Sequence, residues 1–244
     1  MCSPTLSRGI VLACLLAAAA DASASGLQIA PTSLALAPAG PAQALWLTNT
    51  GDHELRAQVR AFHWSQASGH DELEATQALV ASPPMLSIPP GGRQLVRVIR
   101  TGPAAASGEQ TYRLLVDELP LGSDGNAAKQ TSVQYVLRYS VPVFVGTSGT
   151  PSLQWSTAID HDGLRIEIRN SGSAHAQVSA LSLSQPGAAP VELVPGLLGY
   201  VLPGATMHWT VALPAGTNTQ NASLKALING EPTDQTLTPG APTR

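Results

Sequence analysis

Cysteine is almost missing from this 244-residue chain: Cys2 and Cys14 are the only two, and both sit near the N-terminus. A disulfide framework or a thiolate-held zinc is therefore excluded for the rest of the sequence. Charge is scarce as well, with 12% Asp, Glu, Lys and Arg and a net charge of -3. Such a surface offers no basic field for nucleic acid or an anionic membrane, so neither is expected as a partner. Aromatics reach only 4%, too few for the stacking face of a carbohydrate hydrolase built on a β-sandwich. Beyond residue 24 no apolar run approaches the ~18 residues that span a bilayer, so no stable membrane insertion is expected. No segment carries a helical stripe. What is abundant is punctuation: 22 glycines and 20 prolines interrupt the apolar segments at short intervals, the rhythm of short strands.

Arg8 precedes an apolar run from Ile10 to Ala20, and Ala22, Ser23 and Ala24 come after it. This predicts a cleavable secretory signal over residues 1–24 and an exported product without thiols. The alternative is a lipoprotein box at Val11-Leu12-Ala13-Cys14, although only about four apolar residues precede it against the ~7 to 15 of a usual signal core. Asn221-Ala222-Ser223 matches a glycosylation acceptor and is read as a chance triplet.

Beyond residue 24, alternation of period two dominates the chain. Leu45-Trp46-Leu47-Thr48-Asn49 ends in a turn at Thr50-Gly51-Asp52, Leu55 to Trp64 comes next, and a polar loop leads to Pro83-Pro84. Pro89-Pro90-Gly91-Gly92 turns the chain into Gln94 to Arg100, and Tyr112 to Pro120 is again strand-like. After a flexible segment from Leu121 to Thr131, the row Val133, Tyr135, Leu137, Tyr139, Val141, Val143, Val145 gives the longest alternating strand. Gly146 to Pro151 has the composition of a linker, and six further short strands succeed it. The expected architecture is all-β, two immunoglobulin-like sandwiches: an N-terminal domain over 25–146, a linker over 147–152 and a C-terminal domain over 153–244.

Chemistry-bearing constellations are few. His53, His63, His70, His161, His175 and His208 are scattered, with no metal-ligand spacing, and are read as solvated or hydrogen-bonding. Asp71, Glu72 and Glu74 form an acidic cluster beside His70, read as a solvated turn. Neither a phosphate loop nor a Gly-x-Ser-x-Gly elbow is present. No cofactor, no metal and no enzymatic activity are expected. A β protein without such a constellation can work through its strand edges, and the long alternating strand is then either an edge that adds to another sheet or a buried central strand.

In their order, several segments resemble the PapD-like periplasmic pilus-assembly chaperones, in particular the archaic branch associated with spore-coat-U-like subunits. They are Leu45-Trp46-Leu47-Thr48-Asn49-Thr50-Gly51, Ser82-Pro83-Pro84, Ile88-Pro89-Pro90-Gly91, Gln94-x-Val96-Arg97-Val98, Tyr112 to Pro120 and Arg138 to Phe144, with Asn170-Ser171-Gly172 and Gly199 to Gly204 weaker but in place. The resemblance implies two sandwiches set as an L. It implies pilus or fimbrial subunits as partners, held by donor-strand complementation and passed to an outer-membrane usher, in the periplasm. It places Val133, Tyr135 and Leu137 at the donor positions, with Tyr139 and Val141 continuing the row.

Better-known members of that family anchor the subunit's C-terminal carboxylate with two basic residues, whose matching positions here are Ser33 and Pro142. Neither is basic. Arginine is the side chain best suited to a carboxylate in a partly dry cleft. Arg113 is the first candidate, since the start of its strand should lie beside the end of the donor strand; Arg138 and Arg97 are second choices on strand ends expected nearby. The alternative is a secreted structural pilus or coat subunit, although subunits of that kind carry their donor strand at a terminus rather than inside the chain.

Overall fold

The computed structural model describes residues 26–37, 40, 42–102, 108–120, 136–146, 149–185, 187–214, 216–217, 219 and 222–236. The predicted signal with its two cysteines, the segment from Leu121 to Thr131, Val133, Tyr135 and Asn221 lie outside the described residues. Within them there are seventeen strands and no helix. The first ten are β1 (Leu27–Ala30), β2 (Leu34–Leu36), β3 (Ala42–Asn49), β4 (Leu55–Ala67), β5 (His70–Ala75), β6 (Leu79–Ser82), β7 (Met85–Ile88), β8 (Arg93–Arg100), β9 (Glu109–Leu119) and β10 (Arg138–Gly146). Then come β11 (Leu153–Asp160), β12 (Gly163–Asn170), β13 (Ala176–Ser184), β14 (Val191–Val201), β15 (Thr206–Val211), β16 (Ser223–Ile228) and β17 (Glu231–Thr236).

Period-two alternation turns one face of each strand inward, and the sheets close in pairs over those faces. One sheet runs β1-β3-β8-β6 and packs on β2-β10-β9-β4-β5, with β7 also paired to β4. Leu45, Leu47, Val96 and Val98 from the first meet Leu114, Val116, Val141, Val143 and Val145 from the second in one dry core. Each such side chain contributes about 1.5–3 kcal/mol through burial. The second pair, β11-β12-β15 and β14-β13-β16-β17, closes likewise over Leu164, Ile166, Ile168, Val178, Leu181 and Leu224. These are two immunoglobulin-like β-sandwich domains, as the alternation predicts.

The same device closes both. Asn49 and Asn170 each end a strand, each precede a Ser or Thr and a Gly, and both are buried. The Asn49 amide donates to the carbonyls of His53 and Ile88, while its Oδ1 accepts from the Gly51 N–H. Asn170 donates to Ala174 and Val201 and accepts from Ser152 and Gly172. A buried amide thus satisfies backbone groups that a turn leaves without ladder partners.

The polar stretch after Trp64 departs from expectation. It is a hairpin, with β4 and β5 joined through Ser68 and Gly69 at φ 53° and 79°, the two positive values of a tight two-residue turn. All six residues of β5 are exposed, so no alternation marks it. β6 and β17 also went unread, β6 because four residues are too few to show a period.

Candidate functional site

β10 pairs antiparallel with β9 along its whole length, whereas β2 covers its other side only from Val143 to Val145. Among the described residues, no strand pairs with Arg138 to Pro142 on that side. The Glu118 N–H donates to the Leu137 carbonyl. In an antiparallel ladder this turns the backbone groups of Leu137, Tyr139 and Val141 toward β9 and those of Arg138 and Ser140 toward the open side. Pro142, which has no N–H, occupies a position whose N–H would also face outward, as edge strands allow.

The inward row of β10 belongs to the sandwich core. Val141, Val143 and Val145 are fully buried, and Leu137 and Tyr139 pack against them. The Tyr139 hydroxyl also donates to the Leu27 carbonyl at 2.6 Å. Val141 is thus buried within its own domain, while Tyr139 and Leu137 are only partly covered by it. Val136, by contrast, is half exposed.

At the other end of β10 the two sandwiches meet. Phe144 and Trp64 from the first pack with Tyr200, Leu202 and Ala205 from the second. Trp64 meets the Tyr200 ring edge-on at 5.5 Å, and the His175 imidazole stacks flat on Phe144 at 3.4 Å. Glu109 accepts from the His175 backbone N–H at 2.8 Å and lies 2.9 Å from its Nδ1. The hairpin tip reaches across, with Gly69 bridged to Met207. No side chain fits there, since a Cβ on Gly69 would stand 2.3 Å from Cδ2 of His208.

Arg113 lies at this junction. It is directly opposite Pro142 in the register, and Ser33 immediately precedes β2, whose Leu34 faces Val143. The two positions that lack a basic residue are thus aligned beside the arginine on the next strand. Its guanidinium lies 3.7 Å over the Trp64 ring and 5.2 Å from that of Tyr200, and 3.7 Å from the Asp71 carboxylate, with its side chain 12% exposed. Burial pushes its pKa below the ordinary arginine value, and the charge of Asp71 opposes the shift. The group stays cationic. At 3.7 Å the Asp71 contact is an ion pair without a hydrogen bond. Among the described residues the guanidinium has no side-chain hydrogen-bond partner.

The other two candidates are elsewhere. Arg138 starts β10, four residues and about 13 Å of strand from Pro142, and its Nε is bonded to Asp117. Asp117 also accepts from Arg60 at 2.7 Å. Burial raises the Asp117 pKa, but the hydrogen bonds and charges of Arg138 and Arg60 outweigh this and hold it below the usual carboxylate range. Arg97 is on β8, in the opposite sheet, so its strand is no neighbour of β10. Neither reaches the junction. The acidic cluster is solvated but lies on the strand β5 rather than in a turn, and Asp71 also faces Gln66 and Arg113.

Trp64, Gln66, Glu109, Phe144, His175 and Tyr200 meet in one junction that the sequence does not announce. They come from both domains, and no spacing joins them. Trp64 and Phe144 lie on the outward rows of β4 and β10, where a large aromatic marks a second buried face.

The family model for pili and flagellar-assembly chaperones, PapD N-terminal domain, matches residues 26–150. Among solved structures the chain is similar to one in the CsuC–CsuE chaperone–tip adhesion subunit pre-assembly complex from archaic chaperone-usher Csu pili of Acinetobacter baumannii. The identity is 24% and the TM-score 0.65, over 88% of this chain and 99% of that one. It is also similar to the Pseudomonas aeruginosa CupB2 chaperone, at 16% identity and a TM-score of 0.58, over 86% and 100%. The E. coli chaperone DraB gives 17% and 0.57, over 88% and 98%. At such identities the likeness is one of fold. No curated protein matches the sequence. The family match spans more than half of the chain and takes in every strand from β1 to β10, and by it this chain belongs to the pili and flagellar-assembly chaperones of the PapD family.

Proposed function

We propose that this protein is a periplasmic chaperone, exported by the signal over residues 1–24, that holds pilus subunits by donor-strand complementation and delivers them to an outer-membrane usher. Val133, Tyr135 and Leu137 are the donor side chains. The observation that carries this reading is the open side of β10 from Arg138 to Pro142. An unpaired edge of this kind recruits a further strand. The side chains that fill the core at Val141 to Val145 continue in sequence as Tyr139, Leu137, Tyr135 and Val133. A subunit strand added along the edge would therefore meet an apolar row already in phase with the core. The subunit's incomplete core is covered, and its own unpaired edge is satisfied. Arg113 takes the C-terminal carboxylate of the subunit at the junction, the donor fork of its guanidinium replacing the basic residues lacking at Ser33 and Pro142.

The test is co-expression of the full chain with exported subunits encoded beside it, followed by affinity purification. A soluble complex is expected without ATP. Changing Tyr135→Asp together with Leu137→Asp removes the complex, and since Leu137 also packs against the chaperone's own core, urea denaturation of the free variant separates loss of binding from loss of folding; a complex that survives this double change refutes donor-strand binding.

A further inference from the structure

The Arg113 guanidinium is packed over the Trp64 ring and near that of Tyr200, while the Asp71 carboxylate, at 3.7 Å, is beyond hydrogen-bond reach. Gln66 bridges two of its neighbours, Asp71 and the backbone at Tyr200, whose ring is itself held by Trp64, Phe144 and a hydrogen bond from Gln177 to its hydroxyl. Gln66 donates from Nε2 to Asp71 Oδ1 at 2.8 Å and to the Tyr200 carbonyl at 2.9 Å. Its Oε1 accepts from the Leu202 N–H at 2.9 Å. Asp71 is the cross-strand partner of Gln66 in the hairpin, whereas Tyr200 and Leu202 belong to the second domain. The amide thus uses both of its donors and one acceptor site, and it presents to the backbone at Tyr200 and Leu202 the donor and acceptor of an added strand. Its geometry is specific to an amide. A carboxylate there would accept from Leu202 yet repel Asp71 and the Tyr200 carbonyl.

We infer that Gln66 is the positioning residue of the cleft, fixing Asp71 and Tyr200 in one frame so that the Arg113 guanidinium is aimed before a subunit carboxylate arrives. The inference rests on the donor-strand reading for its consequence in binding, but not for the placement of Arg113. Orientation achieved beforehand lowers the ordering cost of binding. Loss of Gln66 then weakens capture through Arg113, without removing any group that meets the subunit.

The experiment uses the full chain, free and as a co-expressed complex with a pilus subunit, for wild type, Gln66→Ala and Gln66→Glu. In the free protein the Arg113 Nε–H resonance, identified by its disappearance in Arg113→Lys, reports the ring current of Trp64. Both Gln66 variants are expected to return it to the ordinary arginine position. In the complex, the rate of exchange on chasing with excess wild-type chaperone is expected to rise about tenfold, the loss of one to two hydrogen bonds' worth of preorganisation. That rise should vanish for a subunit extended by two glycines at its C-terminus, whose carboxylate is displaced, and should not add to that of Arg113→Ala. An unmoved Arg113 signal, or equal acceleration with both subunits, overturns the proposal. So does loss of folding in both variants, which would make Gln66 a folding determinant. If wild type forms no complex at all, the donor-strand reading fails, while the resonance still decides the placement.

Discussion

Replacing Arg113 with Ala removes two contributions that the structure allows to be separated. In the free chaperone the guanidinium stacks on Trp64 at 3.7 Å with its side chain mostly covered, so loss of the cation–π contact costs about 0.5–2 kcal/mol. The Asp71 pair adds little, since Asp71 is 45% exposed and the separation is 3.7 Å. In the complex a charged hydrogen bond to the subunit carboxylate is lost as well, a further ~1.5–3 kcal/mol. Since about 1.4 kcal/mol is tenfold, affinity should fall by roughly 10- to 150-fold beyond any change in the stability of the free protein. Arg113→Lys keeps the charge and loses the planar fork, and should fall between the two. The assay is urea denaturation of the free variants beside chaperone exchange from a co-expressed subunit complex. A variant that loses stability when free, yet exchanges its subunit at the wild-type rate, would show that Arg113 only joins the domains.

Gly69→Val should part the hairpin tip from the second domain, because the residue sits at φ 79° and its Cβ would strike His208; a red shift of Trp64 emission and a lower melting temperature are the expected readouts. Asn49→Ala leaves the Ile88 carbonyl without its buried donor and should cost about 1–3 kcal/mol by urea denaturation. Asp117 contributes stability above the ordinary Asp pKa of ~3.9, and that contribution is lost as pH falls through its lower folded value. Asp117→Asn should therefore be less stable than wild type at neutral pH by about 1 kcal/mol, given the exposure of Arg60 and Arg138. The two should converge in acid.

The sandwiches were legible because their strands bury one face. Leu45 and Leu47, or Leu164, Ile166 and Ile168, write the inside of each sheet into the sequence at every second position. β5 was not, since a strand exposed on every residue leaves no period to find. The site divides the same way. That Arg113 stands beside Pro142 is a consequence of two antiparallel strands in register. The side chains that surround Arg113 could not be read, because Gln66 and Tyr200 are 134 residues apart and meet only where the domains touch. Burial also divides the alternating row: Val141 fills its own core, whereas Tyr139 and Leu137 are only partly covered by it.

The central claim concerns an edge, and its amides report it directly. Arg138 and Ser140 present their N–H groups to the open side of β10, while those of Tyr139 and Val141 face β9. Amide hydrogen exchange, resolved by residue in the free chaperone and in its subunit complex, should show Tyr139 and Val141 protected in both. Arg138 and Ser140 should exchange freely alone and become protected in the complex. If these two amides exchange equally fast with the subunit bound, no strand has been added there and the donor-strand account is wrong.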